Sequence, residues 1–376
     1  MPNIFTINNT GVITSRDKFV TGFNRDEVYQ RILDFRNLDF ESAKSKYDLR
    51  DVRERSLLES WHMVKAMKDV GEHLTILLYR PFDTRHLFYH HSLIRWPVYA
   101  VMRHMIDGRN LGLVSARSNK SQSPDHFFCS RLMIETKCGE RTTQSALFPL
   151  YLYPDAIRTG LFTDETTDAP GGRRPNLAPE FVADFAARLK MSFVADGKGD
   201  LAQTLGPEDI FAYMYAVFHS PTYRTRYAEF LKIDFPRLPL TSSPELFRAL
   251  CAHGGELVGL HLLERHAPPI ATYPRAGDNN VETVRYTAPG EAEAASEGRV
   301  WINREQYFEG VPPEVWNFHV GGYQVAHKWL KDRKGRELTF DDLDHYQRVV
   351  AALAETIRLM SEIDAEIEKH GGWPLK

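Results

Sequence analysis

Cysteine is scarce in this 376-residue chain: Cys129, Cys138 and Cys251 are odd in number, far apart and never form a Cys-x-x-Cys pair. That pattern argues against a disulfide framework and against a structural zinc site built on thiolates. No uninterrupted run of about 18 apolar residues occurs, so no membrane-spanning helix is expected. The first residues, MPNIFTINNTG, contain neither the charged nor the apolar stretch of a secretory leader, and a cytoplasmic setting is expected. Three catalytic signatures are missing as well. No Gly-rich loop ending in Gly-Lys-Ser/Thr is available to cradle nucleotide phosphates, and no Gly-x-Gly-x-x-Gly follows a strand pattern. The Pro-Pro pairs at 268–269 and 312–313 follow Ala267 and Val311 and lead into no aromatic residue, so neither is the Asn/Asp-Pro-Pro-aromatic turn that holds an extruded base for amino methylation. Neither methylation nor ATP use is expected of this chain by itself, and no cofactor, metal or catalytic residue is assigned within it.

A large excess of one charge is also missing. Forty-seven Lys and Arg stand against 50 Asp and Glu, a formal net charge of −3. The distribution is uneven, however. Between 80 and 141 lie ten basic residues (80, 85, 95, 103, 109, 117, 120, 131, 137, 141) against five acids (83, 107, 125, 135, 140), while Glu291, Glu293 and Glu297 concentrate acid elsewhere. A phosphate-binding face needs only a local positive surface, because affinity arises from counterions released where cations meet phosphates. The alternative for any one of these arginines is an ordinary solvated side chain.

With 43% hydrophobic residues the chain can bury a sizeable core and support two or three lobes. The pattern predicts an α+β fold. A helical lead-in covers 1–72, with a capping box of Asn24 and Glu27 ahead of a helix at 25–36 and further helices at 40–46 and 52–68. A β-rich part covers 73–158, its short runs LTILLYR, HLFYH, LGLVSA, DHFFC, RLMIE and LFPLYLY suggesting a mostly antiparallel sheet broken by one helix near 98–106. The polar, Gly- and Pro-rich stretch 159–176 reads as a loop or linker. Helices then dominate 177–264, a second β-rich part spans 265–338, and a long helix closes the chain within 339–376. In that last helix Tyr346, Val350, Leu353, Ile357, Met360 and Ile367 follow a 4-3-4-3 seam broken at Asp364, which predicts packing along another long helix. A core helix of this domain is one partner for it, and a neighbouring lobe of a larger enzyme is the other.

Several constellations bear on chemistry. Pro124-Asp125 followed by Glu135-Thr136-Lys137 has the residue order of a metal-dependent nuclease, in which carboxylates hold a divalent cation and a lysine steadies the attacked phosphate. Such a short pattern arises readily by chance in a chain this acidic. His86, His90, His91 and His104 suggest metal ligands, but strand alternation sends His86 and His90 to one face and His91 to the other, and structural or nucleic-acid-facing roles suit them better. The segment 115–122, SARSNKSQ, follows an apolar strand and offers Arg, Asn, Lys and Gln, the side chains that pair with guanine and adenine edges or neutralise phosphate. An ordinary polar turn is the alternative.

The stretch 206–240, GPEDIFAYMYAVFHSPTYRTRYAEFLKIDFPRLPL, starts a helix at Pro207 with Ile210, Tyr213, Met214, Val217 and Phe218 on one apolar face. Pro221 opens a second turn, and FPRLPL must then run extended as an edge strand or strap, because two prolines remove donors and disfavour helix before them. This stretch resembles the target-recognition domains of DNA-modification enzymes. So do RPFDTRHLFYH (80–90), WPVYAVMRHM (96–105), FPLYLYP (148–154), INREQYFEGVPPEVWNFHVGGYQVAHKWLKDRKGR (302–336) and FDDLDHYQRVVAALAETIRLMSEID (340–364). Together these segments, spread over nearly the whole chain, resemble the C-terminal specificity domain of type ISP restriction-modification enzymes.

In that family one long polypeptide carries a nuclease, a helicase-like motor, an adenine N6-methyltransferase and this domain. The resemblance implies double-stranded DNA as partner, with S-adenosylmethionine, ATP and Mg2+ serving the parent enzyme rather than this part. It implies direct readout, with Arg80, Arg85, Arg95, Arg103, Arg117, Asn119, Lys120, Arg131 and Arg141 as the candidate DNA-binding residues. Among these, Arg117 and Asn119 are expected to read base edges, and Arg80 and Arg85, flanking an FDT turn, to grip the backbone. A self-contained nuclease and a protein-docking lobe are the competing readings.

Overall fold

The computed structural model describes residues 1–53, 56–120, 124–154, 169–290 and 297–375. Ser121 and Gln122 of the polar loop, the first ten residues of the 159–176 stretch, and Glu291 and Glu293 lie outside them. The architecture is α+β, as expected.

Two four-stranded sheets make the β-rich part. The first runs, in spatial order, Asn9–Thr10, Ser145–Pro149, Gly112–Ala116 and Phe128–Ser130, all antiparallel. The second runs Thr21–Gly22, Asp83–Phe88, Leu74–Arg80 and Met133–Ile134. Its last pair is parallel and the others are antiparallel, in keeping with the mostly antiparallel expectation. The chain passes from the first sheet to the second across a two-residue step at Arg131 and Leu132, and the 9–22 segment does the same on the opposite edge. The two sheets are thereby joined twice by continuous backbone, and residues 1–72 contribute a strand to each as well as helices. The strands of the first sheet are buried along their whole length at 112–116, 128–130 and 145–149, which is why they read as unbroken apolar runs rather than as alternating patterns.

Asn24 caps the helix Arg25–Asn37 by accepting from the Asp26 amide. The helix foreseen near 98–106 is only Tyr99–Met102. The second β-rich part is a three-stranded meander, Arg285–Thr287, Arg299–Trp301 and Tyr307–Glu309.

Three helices form the other half of the core: Pro207–His219, Pro244–His261 and Phe340–Lys369. The first is buried on every side rather than on one face, because it lies between the other two helices and Phe127 of the β-rich part, with Phe218 stacked on Phe127 at 4.9 Å. Its contact with the second is backbone-close. A Cβ on Gly254 would lie 1.8 Å from the Ala212 carbonyl oxygen, so only glycine permits that approach. Phe340–Lys369, capped by Thr339, packs along Pro244–His261 and Pro207–His219, settling the partner of the seam as this domain's own core. Its buried stripe runs Tyr346, Val349, Val350, Leu353, Thr356, Leu359, Ile363 and Ile367, while Ile357 and Met360 drift to the edge. A straight helix turns every 3.6 residues and slips off a strict 3.5-residue seam over thirty residues. Asp364, the break in the seam, has separate work: it accepts from Ser220 Oγ and from the Thr222 amide and hydroxyl at 3.0 and 2.6 Å, holding the start of the helix Pro221–Arg226.

The 234–243 segment forms no strand. It is a strap, its carbonyls at Arg237 and Pro239 accepting from the hydroxyls of Tyr223 and Tyr213 at 2.7 and 2.8 Å. Among the described residues no helix is long and apolar enough to cross a membrane.

Candidate nucleic-acid interface

Antiparallel register brings two loops to one end of the first sheet. Ala116 pairs with Ser145 and Val114 with Phe128, so the loop after residue 116 and the loop before residue 145 leave together. Hydrogen bonds then lock them. Thr143 Oγ1 donates to the Ser118 carbonyl at 2.6 Å, and the Lys120 amide donates to Thr142 Oγ1 at 3.2 Å. The fully buried Glu140 carboxylate accepts from the amides of Thr142 and Thr143, fixing the turn that presents Arg141.

A third segment wedges in from far along the chain. The hairpin His319–Val320 with Tyr323–Gln324 turns at Gly321-Gly322, where the Gly321 amide donates to the Asp125 carbonyl at 3.2 Å and its carbonyl accepts from the Arg141 amide at 2.9 Å. Gly321 has φ +56°, and a Cβ there would lie 1.9 Å from the Gly139 carbonyl oxygen. A fourth segment, the helix Ala228–Ile233, is tied in by the Asn119 amide donating to the Lys232 carbonyl at 3.2 Å. Sequence reasoning singled out neither the 319–324 hairpin nor this helix as parts of the site. The Gly-Gly doublet in HVGGYQ was a readable turn signal for the first; the second had none.

The nine candidate residues fall into distinct settings. Arg117, Lys120 and Arg141 are exposed on the interlocked loops, Arg117 with its side chain 77% accessible and facing Asp234 at 3.6 Å. Asn119, in the same loop, points inward: it is buried and its side-chain amide donates to His126 Nδ1 at 3.0 Å. Arg80 lies beneath the second loop, paired with Glu135 at 2.5 Å. Arg85 is buried at a different place, donating twice to Asp83 at 2.7 and 3.1 Å with its guanidinium 3.3 Å from the centre of the Phe23 ring. Arg333 reaches the other Asp83 oxygen at 3.0 Å, making a buried Arg-Asp-Arg cluster. Arg95 lies over the Trp96 ring at 4.7 Å, Arg103 donates to the Tyr153 carbonyl at 3.2 Å, and Arg131 forms a two-pronged pair with Glu264.

The nuclease-like triplet takes up structural positions. Burial raises the carboxyls of Asp125 and Glu135 above the usual range, with Arg224 opposing for the first and Arg80 for the second. The Glu135 carboxylate accepts from Arg80 and from the Lys137 amide at 2.7 Å, and Asp125 Oδ1 faces the Gly322 amide at 3.3 Å. Of the four histidines, His104 Nδ1 accepts from the Tyr153 amide at 3.0 Å and His90 Nδ1 meets Ser92 Oγ at 2.8 Å, with the His91 ring tilted beside it at 4.1 Å. His86 is half-buried on the second sheet. Among the described residues no three His, Cys, Asp or Glu side chains cluster in a way that would hold a metal ion.

The molecule is therefore an α+β domain whose first sheet presents a cross-bonded, cation-bearing group of loops at one end. Its sequence matches the Type ISP C-terminal specificity domain over residues 3–362, and the chain belongs to that family. No curated protein matches it by sequence. Similar folds occur in solved structures. The ATP-dependent Type ISP restriction-modification enzyme LlaBIII bound to DNA aligns with a TM-score of 0.67 at 19% identity, over 96% of this chain and 23% of LlaBIII. A nuclease-deletion mutant of the Type ISP enzyme LlaGI in complex with a DNA substrate mimic aligns at 0.64 and 17% identity, over 96% and 28%. The DrdV-DNA complex gives 0.67 and 22%, over 96% and 36%. The chain thus spans about a quarter to a third of the length of these structures.

Proposed function

We propose that this chain is the target-recognition part of a larger restriction-modification enzyme and reads duplex DNA through the interlocked loops at the end of its first sheet. The observation that carries this reading is the cross-bonding of the 117–120 and 140–143 segments, which fixes Arg117, Lys120 and Arg141 on one rigid platform. Preorganised donors lose little freedom on binding, and Arg and Lys suit both base edges in the major groove and phosphates beside it. In this reading the reacting adenine is extruded on a neighbouring methyltransferase lobe that uses S-adenosylmethionine, while a motor using ATP and Mg2+ and a nuclease are supplied elsewhere in the enzyme. This chain chooses the sequence and carries no reacting group.

Titration of the purified chain with duplex DNA between low and moderate salt tests the proposal. Binding should weaken steeply with salt, log K falling by about 0.9 per phosphate contacted for each decade of salt. Absence of binding even at low salt would overturn it.

A further inference from the structure

We infer that Phe230 and Ile233 form an apolar wedge that enters the duplex at a base step beside the one faced by Arg117, unstacking and bending it; the inference rests on the DNA-reading role proposed above. These two residues are 62% and 71% exposed, the largest exposures of any big apolar residue among the described residues apart from the 82% of Phe340, which stands at the first position of its helix. Single exposed apolar residues need no explanation, but a pair three residues apart lies on one face of a helix. The pair is also firmly mounted. Leu231 between them is buried, Tyr227 at the head of the helix packs tilted against Tyr223 at 5.1 Å and edge-on against Trp373 at 6.2 Å, and Phe235 just beyond packs edge-on against Phe148 at 5.3 Å.

Its position ties it to the proposed reading surface. The Asn119 amide donates to the Lys232 carbonyl, and Arg117 faces Asp234, so the wedge sits against the base of the loop that carries Arg117 and Lys120. Charge around it is mixed: Glu229 pairs with Lys232 at 2.7 Å and Asp234 with Arg117 at 3.6 Å, both pairs solvent-exposed. An exposed pair of this kind exchanges its carboxylate for a phosphate at little cost, since such pairs are weak in water. An apolar protrusion from a phosphate-binding surface fits a base stack, the one apolar part of a duplex. Proteins that insert Phe, Leu or Ile between base pairs pay for unstacking with the contacts that the bent duplex allows. Pyrimidine–purine steps yield most easily.

The test starts from duplexes selected for binding to the chain from a randomised pool, and then compares the parent sequence with Phe230→Ala and with Phe230→Ala/Ile233→Ala. In the parent, 2-aminopurine placed at successive positions should brighten at one step, end-to-end energy transfer should report a bend, and the selected sequences should share a pyrimidine–purine step. In the double variant the bright step and the bend should be lost and affinity should fall roughly tenfold with an unchanged salt slope, since stacking is removed and no phosphate contact. Both substitutions are on the surface, and an unchanged melting temperature confirms an intact fold. If the double variant binds and bends the selected duplex as the parent does, the wedge is overturned while the reading role stands, and the apolar face serves a protein contact instead. If the parent chain binds no DNA, both proposals fall.

Discussion

Arg80 and Glu135, 55 residues apart in sequence, meet in a largely buried ion pair at 2.5 Å at the root of the 135–144 loop. The Glu135 carboxylate also takes the Lys137 amide, the Arg80 guanidinium lies over the rings of Tyr79 and Tyr323 at 4.1 and 5.5 Å, and the Tyr323 hydroxyl donates to the Lys137 carbonyl at 3.0 Å. The pair therefore braces the root of the 135–144 loop from two strands of the second sheet and from the 319–324 hairpin.

Removing one member of a buried pair strands the other charge. Arg80→Ala should cost about 3–5 kcal/mol of stability, and Arg80→Met with Glu135→Leu much less, because the second variant removes both charges. Urea unfolding of the two variants checks this. The DNA salt slope gives a separate readout: unchanged in Arg80→Met/Glu135→Leu, it marks Arg80 as a brace, whereas a fall of about one marks it as a phosphate contact.

Stability should fall in mild acid. His126, His219 and His261 are buried among the helices and the loop, and burial brings His126 and His261 down to about 3 and holds His219 well below its ordinary value. In the unfolded chain each binds a proton near pH 6.5; in the folded chain none does until far lower pH. The unfolded state thus takes up more protons between about pH 6.5 and 3, and each histidine removes up to about 1.4 kcal/mol per pH unit across that window. His261 accepts or donates to Tyr215 at 2.5 Å and Thr356 at 3.0 Å, so His261→Gln keeps a hydrogen-bonding group there without the titration. Urea midpoints between pH 7.5 and 5.5 should drop in the parent and drop less in the variant. A flat parent profile would contradict the neutral assignment.

Gly254→Ala should destabilise strongly. The added methyl would meet the Ala212 carbonyl oxygen at 1.8 Å, and a backbone atom cannot swing aside as a flexible side chain can. The helices Pro207–His219 and Pro244–His261 would have to separate, and overpacking of this kind costs about 1–3 kcal/mol or more. Gly255→Ala is the control, since beyond its own helix backbone and chain neighbours its added methyl meets nothing within 4 Å; it should be neutral or slightly stabilising in a helix interior.

How far the sequence alone carries depends on distance along the chain. Elements set by nearest neighbours were legible: Asn24 as a helix start, Pro207 at a first helical turn, and the strap imposed by Pro236 and Pro239. So was the polar loop after the 112–116 strand, because an apolar run ending in Arg-Ser-Asn-Lys needs no tertiary knowledge to be read as a protruding turn. The direction of each side chain was not legible. Asn119 and Lys120 are neighbours in that loop, yet one is buried on His126 and the other faces water, a choice made by His126 and Lys232 from elsewhere in the fold. Arg85 and Arg131 likewise find acids, Asp83 at two residues' distance and Glu264 at 133, that basic-residue counting cannot pair. The parallel pairing of Leu77 with Met133 was out of reach for the same reason, since it depends on a strand changing sheets.

The exposed cations should divide into a base reader and phosphate holders. Arg117 has a planar fork of donors, a side chain 77% accessible and a weak contact with Asp234 at 3.6 Å to give up, so it is free to bridge O6 and N7 of a guanine. Arg141 is held by its own amide on the Gly321 carbonyl and Lys120 by its amide on Thr142; in the proposed reading these two grip the sugar-phosphate backbone. Binding selection of the purified chain on randomised duplexes should therefore lose one base preference with Arg117→Ala, at a cost of about 1–3 kcal/mol for the preferred base alone. Arg117→Lys should lose it too, because a point charge cannot form the paired bonds. Lys120→Ala and Arg141→Ala should leave the selected sequence unchanged, weaken all duplexes alike and lower the salt slope by about one each. Asn119→Ala should act through folding: it deprives the buried His126 of its partner, loosening the loop and lowering the melting temperature while the selected sequence stays the same. If instead Arg117→Ala weakens every duplex equally and Asn119→Ala shifts the preferred base, the inward position of Asn119 is not the DNA-bound one, and the loop must rearrange before it reads.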